Sequence, residues 1–314
     1  MAKFFAIFLA ILIPMSGAAQ QPRSAEDFSE RGLARYHAGD YEGAIADLTM
    51  EIRLTSSLGN DKKQLLRAYS NGTLLQQNFT GVQAIDPRTA GAYVNRGNAF
   101  FAMNRLNEAV EDYNRAIAIR PGMKEAYVCR GSARLILKEF AAAEADYSKA
   151  LKIDPKYVKA IIGRGMVRFD IANLKGAFED FDRAVAFEPR NHESWQARGD
   201  ARRMSGDADG ALADFEHAFA LDPDSAMTYL GRGTIRLNRR DYASAIKDFV
   251  KAIELDPRLA QGYRNLGYAF YAQGRIADAE VEFSKAIALA PRFLDEINSN
   301  KSLLDKQRAA VKAR

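Results

Sequence analysis

Seven prolines recur along the chain at a constant interval of 34 residues. They are Pro87, Pro121, Pro155, Pro189, Pro223, Pro257 and Pro291. Proline cannot continue an α-helix, and it biases the residue before it toward an extended backbone. A constant interval of this length therefore predicts a repeated helix-turn-helix unit that ends at each proline.

Other residue types keep the same interval. Each of the last six prolines follows an aromatic residue by eleven positions, and alanines lie four before and three after that aromatic, which places all three on one helical face. Further upstream, each repeat has a glycine, and a bulky residue four positions before it. The glycines are Gly97, Gly131, Gly165, Gly199, Gly233 and Gly267, and the bulky residues are Tyr93, Tyr127, Ile161, Trp195, Tyr229 and Tyr263. Glycine inside a helix costs up to about 1 kcal/mol relative to alanine. Its recurrence predicts a close crossing of two helices, with the bulky residues in the core.

The turns between paired helices also have a signature. Gly39, Asn104, Gly206 and Gly274 lie between the two helices of a unit. Glycine and asparagine are the residues that most readily adopt a left-handed backbone. We therefore expect left-handed turns at these four positions.

These positions resemble the tetratricopeptide repeat family over residues 25–293. The family pattern is a bulky residue, Leu-Gly, an aromatic, Ala, Phe or Tyr, Ala and Pro. The resemblance implies an all-α, right-handed superhelical solenoid of helix-turn-helix repeats with a C-terminal capping helix. The sequence departs from the pattern where Leu precedes Gly, since only Leu266 is retained and arginine stands in most other repeats. The first aromatic is retained at Phe100 and Phe270.

Eight repeats are predicted, and the second is degenerate. Gly32 and Gly97 lie 65 residues apart, where two periods would span 68. The shortened unit is assigned to about residues 57–89. After the last proline, residues 294–314 are predicted to form a capping helix and a basic tail, because a solenoid needs a polar cap over its terminal face.

The N-terminus has the pattern of an export signal. A basic Lys3 precedes ten apolar residues, 4–13, and small residues follow at Gly17 and Ala19. This pattern predicts a signal peptide over residues 1–19, cleaved between Ala19 and Gln20, and a periplasmic or secreted protein without membrane association after cleavage. An uncleaved anchor is the alternative, although ten helical residues span about 15 Å of a core about 30 Å thick.

Composition and motifs argue against chemistry and against nucleic-acid binding. The chain has 45 basic and 40 acidic residues, so its net charge of +5 is small and the signs are interspersed. No metal-ligand spacing links the three histidines to Cys129, and one cysteine cannot form an intramolecular disulfide. No catalytic triad or phosphate-binding loop is recognisable. We expect no enzymatic activity, no cofactor, no metal and no nucleic-acid partner.

Charged residues also follow the repeat. Repeats with arginine before the glycine have an aspartate before the second aromatic. The arginines include Arg96, Arg130, Arg164, Arg198 and Arg232, and the aspartates are Asp47, Asp112, Asp146, Asp180, Asp214 and Asp248. Ion pairs across the two helices are predicted, and local pairs with the basic residue three positions after the aspartate are the alternative. Both interpretations make these charges structural.

The resemblance implies that a partner binds in a concave groove formed by the free face of the first helices. The groove residues are Val94, Asn98, Phe101, Val128, Leu135, Ile162, Met166, Phe169, Arg203, Arg264, Tyr268 and Tyr271. The face is mostly apolar in repeats three to five and has a polar break in repeat six, at Gln196, Asp200 and Arg203. The expected function is a non-catalytic scaffold or adaptor that binds a peptide or partner protein. The alternative is a structural or self-associating solenoid.

Overall fold

A computed structural model of the chain describes residue 22 and residues 24–56 and 88–312. The expected signal peptide at residues 1–19 lies outside the described residues. So does nearly all of the expected degenerate repeat at residues 57–89.

The described residues form fifteen α-helices and no β-strand, in two compact units, residues 1–138 and 139–314. The first unit contains α1 (Ala25–His37), α2 (Tyr41–Ser56), α3 (Thr89–Ala102), α4 (Leu106–Ile119) and α5 (Lys124–Ile136). The second contains α6 (Phe140–Ile153), α7 (Val158–Asp170), α8 (Leu174–Phe187), α9 (His192–Met204), α10 (Ala208–Leu221), α11 (Ala226–Asn238), α12 (Tyr242–Leu255), α13 (Ala260–Ala272), α14 (Ile276–Leu289) and α15 (Phe293–Lys312). The expected all-α class is confirmed.

Helices pack in consecutive pairs, and the pairs stack on each other within each unit. In the second unit α7 pairs with α8, α9 with α10, α11 with α12, and α13 with α14. The first helices α7, α9, α11 and α13 also contact one another in order. In the first unit α1 pairs with α2 and α3 with α4. Each stack is therefore built from helix-turn-helix repeats.

The ends of the helices follow the punctuation of the sequence. Asp154, Asp222 and Asp256, each before a proline, have extended backbones with φ of −136°, −141° and −132°. The turns within pairs are left-handed at every expected position: Gly39 at φ 81°, Asn104 at 59°, Gly206 at 89° and Gly274 at 86°. Ala172 and Arg240 adopt the same conformation, at φ 61° and 64°. Neither residue type favours it, so the packing of the flanking helices imposes the turn there.

The recurring glycines lie against the aromatic ring of the paired helix. A Cβ built on Gly165 or on Gly233 would approach Cε1 of Phe181 or of Phe249 to 2.7 Å. Real Cβ atoms do not come this close to a fixed ring, and both rings are buried. The predicted close crossing is confirmed, and the aromatic ring is what requires it.

A second glycine, which the sequence analysis missed, serves the next crossing in the stack. A Cβ on Gly163 would overlap the ring of Tyr147, and one on Gly231 would overlap the ring of Phe215. In both cases the ring belongs to the preceding helix pair. The same ring thus needs a close approach from its own first helix and from the first helix of the next repeat.

Trp195 is half-buried and does not lie in the core as its repeat position suggested. Its Nε1–H donates to the carbonyl oxygen of Pro189 at 2.9 Å, and its ring stacks on His217 with centroids 4.4 Å apart. An indole needs a partner for its N–H when it leaves water. The carbonyl that supplies this partner lies outside the helix and holds the ring near the surface.

The last helix, α15, closes the second unit as a cap. Phe293 and Ile297 are buried in a cluster with Phe283 of α14. The hydroxyl of Tyr271 on α13 donates to Asp305 Oδ1 of α15 at 2.6 Å. The expected capping helix is confirmed.

Gly165→Leu should lower the free energy of unfolding by about 1–3 kcal/mol, because the added side chain cannot share the space that Phe181 fills. Urea denaturation would measure the change. Gly91→Leu is the matched control, since Gly91 lies in the first turn of α3 with open space where its Cβ would be. Equal stability of Gly165→Leu and the wild type would contradict this account of the crossing.

Candidate functional site

The free face of the first helices is oriented by ion pairs that join the two helices of each repeat. Arg164 donates through Nε and Nη2 to the two carboxylate oxygens of Asp180, at 2.9 and 2.6 Å. Arg198 contacts Asp214 in the same way at 3.0 and 2.8 Å. The pair formed by Arg232 and Asp248 (3.1 and 2.7 Å) and the pair formed by Arg96 and Asp112 (2.7 Å twice) repeat the geometry. The predicted pairing across the helices is confirmed.

The local alternative is the weaker contact. Arg183, three residues after Asp180 on the same helix, lies 3.5 Å away through Nη1. Lys251 pairs with Glu254. The bidentate contact across the helices therefore dominates, as expected for the planar guanidinium group.

A second arginine, one turn further along the first helix, binds the same aspartate. Its Nη1 donates to Oδ2 at 2.8–2.9 Å in each of these repeats: Arg168 to Asp180, Arg202 to Asp214, Arg236 to Asp248 and Arg35 to Asp47. These arginines occupy the position of the first aromatic in the repeat pattern. The departure of the sequence from that pattern is thus a second hydrogen-bond donor for a buried carboxylate.

The same arginines tie one helix pair to the next. Arg168 Nε lies 2.8 Å from Glu144 of α6, and Arg198 Nη1 lies 2.8 Å from Asp182 of α8. Hydrogen bonding to Asp214 also raises the pKa of Arg198, so this guanidinium stays charged. The charged network therefore fixes both the angle within a pair and the step between pairs.

Asp180→Ala should destabilise the second unit strongly, because it leaves Arg164 and Arg168 at the buried crossing without their shared acceptor. Loss of one partner from a buried ion pair costs about 3–5 kcal/mol. The side chains of the two arginines are 14% and 21% exposed, so we expect a value near the lower end. Arg183→Ala removes only the local contact and should change the unfolding free energy by less than about 1 kcal/mol. Equal effects of the two substitutions in urea denaturation would contradict the proposed dominance of the pairing across the helices.

The first helices α7, α9 and α11 of the second unit enclose a cavity of about 590 Å³, within the size range of ligand pockets. Its lining residues are Ile162, Met166, Phe169, Asp170, Phe181, His192, Glu193, Gln196, Ala197, Asp200, Ala201, Met204, Ser225, Ala226 and Met227. The cavity therefore lies on the free face of three consecutive repeats, where the sequence placed the groove.

Three of the expected groove residues, Ile162, Met166 and Phe169, line this cavity together. Gln196 and Asp200, from the expected polar break, line it as well. The apolar strip and the polar break thus share one site in the second unit.

Sequence analysis missed the ends of the cavity. Met204 is the last residue of α9, and Met227 is the second residue of α11. Both lie just beyond the three positions per helix that the groove pattern uses. Met166, Met204 and Met227 are 46%, 61% and 42% exposed, which is unusual for large apolar side chains. Their convergence on one cavity is the signal that marks it.

Arg203 and Arg264 line a smaller cavity of about 210 Å³, which shares Asp200 and Met227 with the larger one. Arg203 Nη2 lies 3.3 Å from Asp200 Oδ1, and Arg264 Nη1 lies 3.0 Å from Glu296 of α15. The two arginines are therefore brought to one place, but each already has a carboxylate partner. Burial raises the pKa of Asp200, and Arg203 opposes this effect.

Tyr268 and Tyr271 face the capping helix. The hydroxyl of Tyr268 accepts a hydrogen bond from Asn300 Nδ2 at 2.9 Å, and Tyr271 is buried. Residues of α15 therefore occupy the hydrogen-bonding groups of this end of the expected groove.

The expected groove residues of the first unit are more enclosed than the strip suggested. Val94 is buried, and Phe101 packs against the same cluster. Asn98 Oδ1 accepts a hydrogen bond from the Tyr113 hydroxyl at 2.8 Å. Val128 and Leu135 on α5 are half-buried. Apolar side chains on this face pack between neighbouring first helices, which reduces the surface they offer.

The described residues contain no group of His, Cys, Asp and Glu side chains that could hold a metal ion. None of the described helices has the length and apolar character needed to cross a bilayer.

Family sequence models match four segments of the chain. Models described as tetratricopeptide repeat match residues 90–123, 125–157 and 260–293, and one described as TPR repeat matches residues 239–274. This chain contains tetratricopeptide repeats. Comparison with curated proteins finds no matching sequence.

Solved tetratricopeptide structures share the fold. A tetratricopeptide repeat protein from Parabacteroides merdae ATCC 43184 superimposes with a TM-score of 0.61 at 20% identity, covering 90% of this chain and 99% of that one. The yeast Tom70 structure gives 0.60 at 18% identity, covering 93% and 67%. The Cut9–Hcn1 hetero-tetramer of the APC/C gives 0.61 at 15% identity, covering 90% of this chain and 56% of the matched chain. At these identities the likeness establishes the fold alone.

Proposed function

We propose that this tetratricopeptide protein is a non-catalytic scaffold or adaptor that binds a peptide segment of a partner protein in the cavity between α7, α9 and α11. The observation that carries the proposal is the convergence of three exposed methionines with Ile162 and Phe169 on one cavity. Monomeric proteins rarely leave large apolar side chains clustered at the surface unless they bind something. Repeat stacks commonly use such surfaces for recognition.

The flexibility of methionine supports a peptide as the ligand. Its unbranched side chain can repack around different apolar groups, and methionine-rich surfaces are typical of peptide-binding proteins. Each large apolar side chain that becomes buried contributes about 1.5–3 kcal/mol. Two or three anchors in this cavity would supply most of a micromolar affinity, which corresponds to about 8 kcal/mol.

Met166→Ser combined with Met204→Ser should weaken peptide binding at least about tenfold, because about 1.4 kcal/mol of apolar burial is already a factor of ten. Peptides selected from a random phage library on the protein starting at Gln20 would be labelled and titrated by fluorescence polarisation. Val250→Ser combined with Val281→Ser is the matched control, since these residues are exposed on the second helices α12 and α14.

Selected peptides that bind the methionine variant as tightly as the wild type would exclude this cavity as their site. Arg203→Ala combined with Arg264→Ala tests the smaller cavity in the same titration. If only the arginine variant loses binding, recognition is electrostatic and lies toward α13. If no peptide is selected and light scattering shows a mass that rises with concentration, the apolar cluster is a self-association surface.

We also propose that the protein acts in the bacterial cell envelope after removal of residues 1–19. The proposal is supported by the basic Lys3, the apolar run at residues 4–13 and the small residues Gly17 and Ala19. N-terminal sequencing of the protein purified from its native host should begin at or near Gln20. A sequence that begins at Met1 would favour an uncleaved anchor or a cytoplasmic protein.

A further inference from the structure

The charges around the methionine-lined cavity all have one sign. Three carboxylates, Asp170, Glu193 and Asp200, are part of the lining. No lysine or arginine is among the described residues that line it. His192, the remaining ionisable group of the lining, has its Nε2 3.5 Å from Asp222 Oδ2. The polar part of this site is therefore acidic.

Two of the carboxylates have no basic partner within the part of the chain that the structure describes. Asp170 ends α7 and Glu193 lies in the first turn of α9, and both are exposed. Neither forms a salt bridge with a described residue, whereas the arginine-bound aspartates of the repeats are fully paired. Asp200 differs, because Arg203 already binds it.

This acidic site lies on a chain whose net charge is +5. The charge of the whole chain would attract an acidic ligand and weakly repel a basic one. A preference for a basic ligand at this cavity must therefore come from the nearby carboxylates, which act over about one Debye length, about 10 Å at 0.1 M salt.

We infer that the cavity between α7, α9 and α11 selects peptide segments in which a large apolar residue is flanked by lysine or arginine, with the apolar side chain among the methionines and the cation at Asp170 and Glu193. This inference rests on the proposed function and specifies its ligand. An apolar anchor supplies affinity, and the charge complementarity sets the choice of partner. The opposite preference, for an acidic peptide, would place a carboxylate beside carboxylates.

Three end-blocked, fluorescein-labelled peptides test this inference on the protein starting at Gln20. The first has three copies of Gly-Leu-Lys-Gly, the second has three copies of Gly-Leu-Glu-Gly, and the third has three copies of Gly-Ser-Lys-Gly. The first should bind most tightly by fluorescence polarisation in 50 mM salt, and its affinity should fall as salt is raised to 300 mM. The second lacks the cation and the third lacks the apolar anchor, so both should bind more weakly.

Asp170→Asn combined with Glu193→Gln should weaken binding of the first peptide about three- to tenfold and should reduce its salt dependence, because partly exposed ion pairs contribute modestly. Asp200 is left unchanged, since its loss would release Arg203. The matched control is Glu179→Gln combined with Glu216→Gln, which removes the same charge from exposed positions on α8 and α10. This control should bind like the wild type.

The outcomes separate the inference from the proposed function. If the methionine variant loses binding of the first peptide while the Asp170 and Glu193 variant retains it, the apolar site stands and the charge selectivity is overturned. If the control variant weakens binding as much as the cavity variant, the attraction is not local and the inference fails. If the second peptide binds as tightly as the first, or none of the three binds, the inference also fails. Loss of peptides selected from the phage library in the methionine variant would still support the function.

Discussion

A buried aspartate, bound by one or two arginines of the facing helix, is the interaction on which each helix pair of this protein depends. Asp180, Asp214 and Asp248 each accept three hydrogen bonds from guanidinium groups spaced one helical turn apart. Taking such charges out of water is costly unless every lone pair finds a donor. Here the carboxylate is saturated, and the geometry is met only when the two helices cross in one register. In the last repeat Leu266 and Phe270 stand at the arginine positions, so the same crossing is built there with apolar packing.

This charged crossing has a consequence for the opposite face of the first helices. Because arginine, glycine and the buried aromatic ring satisfy the inner face, the outer face is free to vary from repeat to repeat. It varies sharply in the second unit, where α7 contributes Ile162, Met166 and Phe169 and α9 contributes Asp200. The cavity between α7, α9 and α11 thus combines an apolar floor with acidic ends on a uniform scaffold. Function and folding use different faces of the same helices.

Much of the fold could be predicted because its determinants recur. A proline every 34 residues, a glycine at each crossing and an aspartate opposite each arginine are repeated several times, so chance agreement is excluded. Single-copy features were predicted less well. Nothing local distinguishes Ala172 as a left-handed turn residue, and the burial of Trp195 was overestimated because its N–H partner lies outside the repeat pattern. The second arginine at Arg168 was seen as a departure from the pattern, without its shared aspartate.

The sequence by itself determined the helix-pair repeat, the ends of its helices and the ion pairs that join them, because these depend on short, repeated spacings and on backbone chemistry that few residue types satisfy. The tertiary structure alone decided which groove positions are open. Val94 and Tyr271 occupy groove positions in the sequence yet are buried, whereas Met204 and Met227 lie beyond those positions and are exposed at the cavity. Exposure depends on how neighbouring first helices and the capping helix pack, and that packing joins residues that are 30 or more positions apart, as in the hydrogen bond between Tyr271 and Asp305.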